Sequence, residues 1–172
     1  QKQAAHKDTD ARWSAKRGQW HHGYKAHANI DQKHKLIRIL KVTPANASDM
    51  NHFKEMIDTK ADRQQVGKTI HADRGYDSAT NRQTLKANQL RDGIARNDDR
   101  KRYDQTAIHT RNRKLSRIRA RVEHVVGAWE KVIGKSIRCI GLARATTQIT
   151  LQAMVVNLRR WVTIDAQGAS AG

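Results

Sequence analysis

Lys68-Thr-Ile-His-Ala-Asp-Arg-Gly-Tyr-Asp-Ser78 is the stretch on which the fold turns. Lys68-Thr-Ile-His-Ala72 has the composition of a short strand, and Asp73 closes it. Arg74-Gly75-Tyr76 makes a tight turn, after which Asp77 or Ser78 caps a helix running to about Asn88. A strand, an acid, a glycine and a helix in that order point to an α/β domain with a sheet covered by helices. Such folds carry their reactive groups at the C-terminal ends of strands, where Asp73 stands. The plain alternative is an aspartate that only caps its turn.

Toward the N-terminus, Tyr24–Ile30 alternates in strand fashion, and Asp31–Lys35 is a polar turn. Leu36–Val42 is the returning strand of a hairpin, stopped by Pro44. Residues 1–22 are polar and without period, which predicts an extended arm. Ala45–Asp62 places Met50, Phe53, Met56 and Ile57 at helical spacing behind Ser48 or Asp49 as N-cap. Toward the C-terminus, Arg91–Arg96 fits one more short strand, and residues 97–110 a charged connection. From Asn112 to Ile133, a helix carries Leu115, Ile118, Val122, Val125, Val126, Trp129, Val132 and Ile133 as one apolar stripe. A last helix, roughly Ala145–Val162, carries Ile149, Leu151, Met154, Val155, Leu158 and Trp161, and residues 166–172 form a disordered tail.

The chain has 172 residues, one domain's worth, with 34 Lys and Arg against 16 Asp and Glu, a net charge of +18. No stretch reaches the roughly 20 apolar residues of a membrane span. One cysteine, Cys139, excludes a disulfide scaffold and a zinc site built on several thiolates. The opening carries no apolar signal region, which points to a cytoplasmic protein. It also begins at Gln1, with Met50 as the first methionine, the expectation for a fragment or trimmed product.

A charge surplus of this size calls for a polyanion, and nucleic acid converts clustered cations into affinity through counterion release. Arg111, Arg113, Lys114, Arg117, Arg119 and Arg121 follow one another without an intervening acid. An anionic membrane surface fits less well, because the basic residues are spread over every element rather than along one amphipathic helix.

Glu123 is the second candidate acid. Asn112, Ser116, Arg119, Glu123, Gly127 and Glu130 line one flank of their helix, which predicts a carboxylate at the core boundary. Arg119, one turn earlier, either pairs with it in an ordinary salt bridge or holds a phosphate near it. Two carboxylates in a basic domain suit phosphodiester chemistry, in which Mg2+ or Mn2+ on hard oxygen ligands activates water. His21, His22 and His27 have no cysteine or acid at ligand spacing, so a phosphate-contacting or surface role is preferred over metal binding. Trp13, Trp20 and Tyr24 either stack on unpaired bases or pack the arm on the hairpin.

Several ordered segments resemble the DDE transposases of bacterial insertion sequences, the insertion sequence 5 type. They are Asp8-Thr-Asp-Ala-Arg-Trp13, His22-Gly-Tyr-Lys-Ala-His27, His71-Ala-Asp-Arg-Gly-Tyr-Asp-Ser78, Ser116-Arg-Ile-Arg-Ala-Arg-Val-Glu-His-Val-Val-Gly127, Ile140-Gly-Leu-Ala-Arg-Ala145 and Val156-Asn-Leu-Arg-Arg-Trp161. The resemblance implies an RNase H-like mixed sheet flanked by helices over residues 23–165. It also implies three acids holding two Mg2+ (or Mn2+) ions, cleavage of the element's ends, and attack of the freed 3′-hydroxyl on target DNA. The family's second Asp falls on Asp73 and its Glu on Glu123, the implied metal and catalytic residues. Arg119 matches the family's arginine, while Ser116 stands at its tyrosine position and Glu130 at its lysine position, with Lys131 one step late. Lys114, Arg113, Arg117, Arg119, Arg121, Lys131 and Lys25 are the expected DNA contacts, on double-stranded element ends and target. The first strand, with the first Asp, is expected to be missing, and Asp8 and Asp10 are not substituted for it. A homo-oligomer on DNA in the bacterial cytoplasm, at the nucleoid, completes the expectation. The rival class is a non-catalytic basic nucleic-acid-binding module or transposase remnant. An RNase H-like nuclease without strand joining is a third reading.

Overall fold

A computed structural model describes residues 7–16, 18–57, 67–97, 105–134 and 137–169. Its strands are β1 (Arg12–Lys16), β2 (Gln19–Ile30), β3 (Ile37–Pro44), β4 (Thr69–Ala72) and β5 (Arg91–Ile94). Its helices are α1 (Ala79–Ala87), α2 (Gln105–Ile133) and α3 (Leu142–Ala169). The expected α/β class is present as an antiparallel sheet, β1-β2-β3, and a parallel pair, β4-β5. The chain divides into two compact units. One joins residues 1–47 to 125–172, and the other is Ser48–His124.

In the first unit the hairpin forms as its alternation predicts. Ala26 pairs with Val42 and Ala28 with Leu40, and Lys35 supplies the turn's left-handed residue at φ 64°. The stretch expected to be an arm instead forms β1 and the first four residues of β2, with Trp13 opposite His22. That ribbon escapes a periodicity search because both faces are wet: Trp13 and Trp20 are exposed on one, Arg12 and His21 on the other. Helix α3 covers β3, where Ala153 and Val156 meet Ile37, Leu40, Val125 and Trp129. Polar bonds fix its seat. Asn157 makes two 2.8 Å bonds with the backbone of Ile37, and the Arg160 Nε donates to the His34 carbonyl at 2.7 Å.

The start of α3 is held from the other end of the sequence. Asp8 Oδ2 accepts from the Gly141 N–H at 3.2 Å, and Asp10 Oδ2 from the Leu142 N–H at 2.8 Å. Two carboxylates thus meet otherwise unsatisfied N–H groups at the positive end of a helix dipole. The Tyr24 hydroxyl donates to Asp8 Oδ1 at 2.6 Å.

In the second unit, Phe53, Ile57, Leu85, Leu90 and Ile94 form the core, with Ile70, Ala72 and Tyr76 packed against it. Full burial of Leu85 and Ile94 is worth about 1.5–3 kcal/mol each. Strand β4 and α1 stand where expected, with Ser78 Oγ accepting from the Asn81 N–H as N-cap. Three expectations along the chain are corrected. The helix expected from Ala45 to Asp62 is a pair of 3-10 turns, Asp49–His52 and Lys54–Met56, and residues 58–62 lie outside the described residues. Phe53, Met56 and Ile57, in and beside these turns, are buried all the same. Helix α2 begins at Gln105, inside the expected connection. The expected tail at 166–169 is the last turn of α3, and residues 170–172 lie outside the described residues.

The Asp8 cap makes a pH prediction. The Tyr24 hydroxyl, opposed by partial burial and helped by backbone N–H groups, holds the Asp8 carboxyl below its ordinary 3.8. A depressed carboxylate contributes stability that is complete above about pH 4 and lost as pH falls through the folded-state value. Tyr24→Phe is expected to be less stable than the native chain at neutral pH, with the difference narrowing below pH 4. Urea unfolding at neutral and acidic pH checks this, and a difference that stays constant would refute it.

Candidate active site

Successive side chains of β4 point to opposite faces, so Ile70 and Ala72 enter the core and His71 takes the other side. Opposite His71 in register lies Gly93 of β5. A β-carbon there would stand 2.5 Å from the Ile70 carbonyl oxygen and 2.8 Å from His71 Nδ1, so only glycine fits. Burial lowers the His71 pKa, and the Arg111 guanidinium lowers it further.

Asp73 follows directly from β4, in extended backbone and exposed to solvent. Its Oδ1 accepts from the Gly75 N–H at 2.9 Å and caps the 3-10 turn Arg74–Tyr76. This is the capping role that the plain alternative requires, and it uses one of the two carboxylate oxygens. A second acid, from the turn Asp49–His52, shares the spot. The position of a β-carbon on Gly75 would be 2.8 Å from Asp49 Oδ2 and 3.1 Å from Asp73 Oδ1. Burial pushes the Tyr76 hydroxyl pKa up, and the carboxylates of Asp49 and Asp73 add to it. The sequence presents Asp49 only as a cap candidate, because nothing local signals that a residue two dozen positions upstream returns to the strand end.

Glu123 lies on α2 in the same unit. Its side chain is 68% exposed, further out than the expected core-boundary position, and it accepts from Arg119 Nη2 at 3.4 Å. The salt-bridge alternative is therefore realised. An exposed i,i+4 pair is worth only about 0.3–0.5 kcal/mol, so the carboxylate is not committed to it. Among the described residues, no three histidines, cysteines, aspartates or glutamates gather at metal-holding distance. The donors present are nevertheless the hard oxygens that Mg2+ and Mn2+ select.

What ties α2 to the parallel pair is Arg111. Its guanidinium donates to the carbonyl oxygens of Ile94 at 2.6 Å and Asp92 at 2.9 Å, and pairs with the Asp92 carboxylate at 3.5 Å. Asn112, next along, is buried and exchanges two 2.9 Å bonds with the backbone of Arg96. Asp92 also receives Arg82 and Arg96, and Arg82 pairs in turn with Asp77. Arg111, counted in the sequence among nucleic-acid-facing charges, is a structural clamp.

The other basic residues of α2 divide by exposure. Arg113, Lys114, Arg117 and Arg121 are exposed, and Arg119 is half-buried beside Glu123. Lys131 is exposed on the part of α2 that belongs to the other unit. Lys25 donates from Nζ to the Ala47 carbonyl at 3.0 Å and brackets its own unit. His27 is buried, with Nε2 3.0 Å from Thr43 Oγ1, and the His22 ring lies 5.0 Å from that of Trp13.

The family model of the transposase DDE domain matches residues 2–158. The chain is 39% identical over 153 residues to the transposase for insertion sequence element IS1106 of Neisseria meningitidis serogroup B. That match covers 88% of this chain and 51% of the relative, so the chain spans about half the relative's length. No solved structure matches. The chain belongs to the DDE transposase family of insertion sequences.

Arg111→Leu is expected to cost about 2 kcal/mol or more, because two backbone carbonyls and a carboxylate lose a charged donor. Arg113→Leu, two residues on and exposed, is expected to stay within about 0.5 kcal/mol of native. Chemical denaturation of both variants checks the contrast.

Proposed function

We propose that this member of the DDE transposase family supplies two of three acids, Asp73 and Glu123, to Mg2+- or Mn2+-dependent cleavage and joining of DNA. The observation that carries this reading is that a strand-terminal aspartate and a helix clamped onto the neighbouring strand occur in one unit, within an α/β chain of this family. An RNase H-like core over residues 23–165 is the frame it assumes. Bound divalent metal would activate water and stabilise the leaving oxygen. Asp73 offers the carboxylate oxygen not used by Gly75, and Glu123 a carboxylate held only by an exposed pair. Arg119 balances the charge of Glu123 and can turn its planar guanidinium to a phosphate.

The first acid is assigned to neither Asp8 nor Asp10. Both lie outside the strands and are engaged at the start of α3. It is expected on a strand elsewhere in the whole transposase, and this chain alone is expected to cleave poorly. The substrate is double-stranded DNA, both element ends and target, contacted by Arg113, Lys114, Arg117, Arg119, Arg121, Lys131 and Lys25. The protein would act as a homo-oligomer on DNA in the bacterial cytoplasm, at the nucleoid. No helix among the described residues is long and apolar enough to cross a membrane.

The test uses a full-length transposase carrying this segment. Asp73→Asn and Glu123→Gln are each expected to lower strand cleavage more than about 100-fold, beyond what loss of a supporting ligand contact usually costs. DNA affinity should be nearly unchanged. Arg117→Gln and Arg121→Gln should each reduce the salt dependence of DNA binding by about one ion. Near-native cleavage by either acid variant would remove the assignment. A Mn2+ titration insensitive to both acids would favour the non-catalytic binding module.

A further inference from the structure

Helix α3 is apolar on two faces. The inner one, with Ala145, Ile149 and Ala153, is buried against its own unit. On the outer one Leu151, Met154, Val155, Leu158, Trp161 and Val162 recur at steps of three, four and seven residues and stay 45–70% exposed. A helix apolar all round normally has both faces covered. These six side chains present roughly 700 Å² as one stripe, more than the largest patch of about 300–600 Å² on a typical monomer. We propose that this face pairs with the same face of a second copy of the chain, antiparallel and about a two-fold axis.

Three observations support that occupant. The area is close to the roughly 800 Å² per partner of a stable protein interface. The same stripe carries exposed Arg144 seven residues before Leu151 and exposed Asp165 seven residues after Leu158. An antiparallel pairing centred between Met154 and Val155 sets Arg144 of each copy against Asp165 of the other and Leu151 over Leu158. A parallel pairing would oppose like charges at both ends, so the charges select the antiparallel arrangement. Finally, the helix is already fixed, by Asp10 at its start and by Asn157 and Arg160 along its inner side. The stripe is therefore presented without an ordering cost. This inference is independent of the metal chemistry proposed above, and neither depends on the other's success.

Sedimentation equilibrium of the 172-residue chain at micromolar concentration, without DNA, tests it. The native chain is expected to be a dimer. Leu158→Asp is expected to weaken the dimer at least about 100-fold, since a two-fold interface loses the residue twice. Its circular dichroism should be unchanged, because Leu158 is on the surface. Arg144→Asp should weaken it about tenfold, and Arg144→Asp combined with Asp165→Arg should restore it. Trp20→Ser, which alters an exposed aromatic on β2, should leave association intact. A monomeric native chain, an unaffected Leu158→Asp dimer, or equal loss in Trp20→Ser would overturn the interface. Failure of the charge exchange to restore affinity would overturn the antiparallel arrangement.

Discussion

The guanidinium of Arg111 is the constraint on which the candidate site depends. Strand β5 offers two carbonyl oxygens, on Asp92 and Ile94, that have a cation instead of another strand, and that cation is nearly two turns inside α2. The bond fixes the helix bearing Glu123 to the strand that pairs with β4, which in turn ends at Asp73. Asn112 repeats the arrangement on Arg96 one residue further along. Charge that looks superfluous in composition thus organises the backbone before any of it meets DNA. The neighbouring histidine feels the same field: burial and then the Arg111 guanidinium lower the His71 pKa.

Elements whose packing is apolar were legible in the sequence, and elements held by polar bonds were not. Strand β4, its turn and α1 could be read directly because Ile70, Ala72 and Leu85 mark the buried positions and Ser78 the cap. The first two turns of α2 could not. Between Gln105 and Arg111 only Ile108 is a buried apolar residue, and the segment is seated by Arg111 and Asn112 instead. Helix α3 was legible in kind but not in orientation. Leu151, Met154, Val155, Leu158 and Trp161 point outward, and Ala145, Ile149 and Ala153 point in.

The site itself divides in the same way. Asp73 was recognisable from its place between a strand and a glycine, and the reason for that glycine is now physical: two carboxylates crowd it. Asp49 could not be anticipated, since its approach to Gly75 depends on two 3-10 turns standing where the spacing favours an α-helix. The motifs at the two ends of the chain also acquire a meaning that their spacing hides. Asp8 and Asp10 complete the helix that begins after Gly141, so segments that look like separate signatures are one joint.

That joint constrains the order of assembly. The unit it closes is built from the first and last quarters of the chain, with Ser48–His124 inserted between them. A ribosome delivers β1, β2 and β3 long before α3, so the antiparallel sheet must wait with its Ile37 side uncovered while the inserted unit is made. Domains that mature from the N-terminus onward have no such interval. Here the inserted unit can reach its native state first, and the flanking unit last, when the chain's final helix emerges and its amides find the two waiting carboxylates.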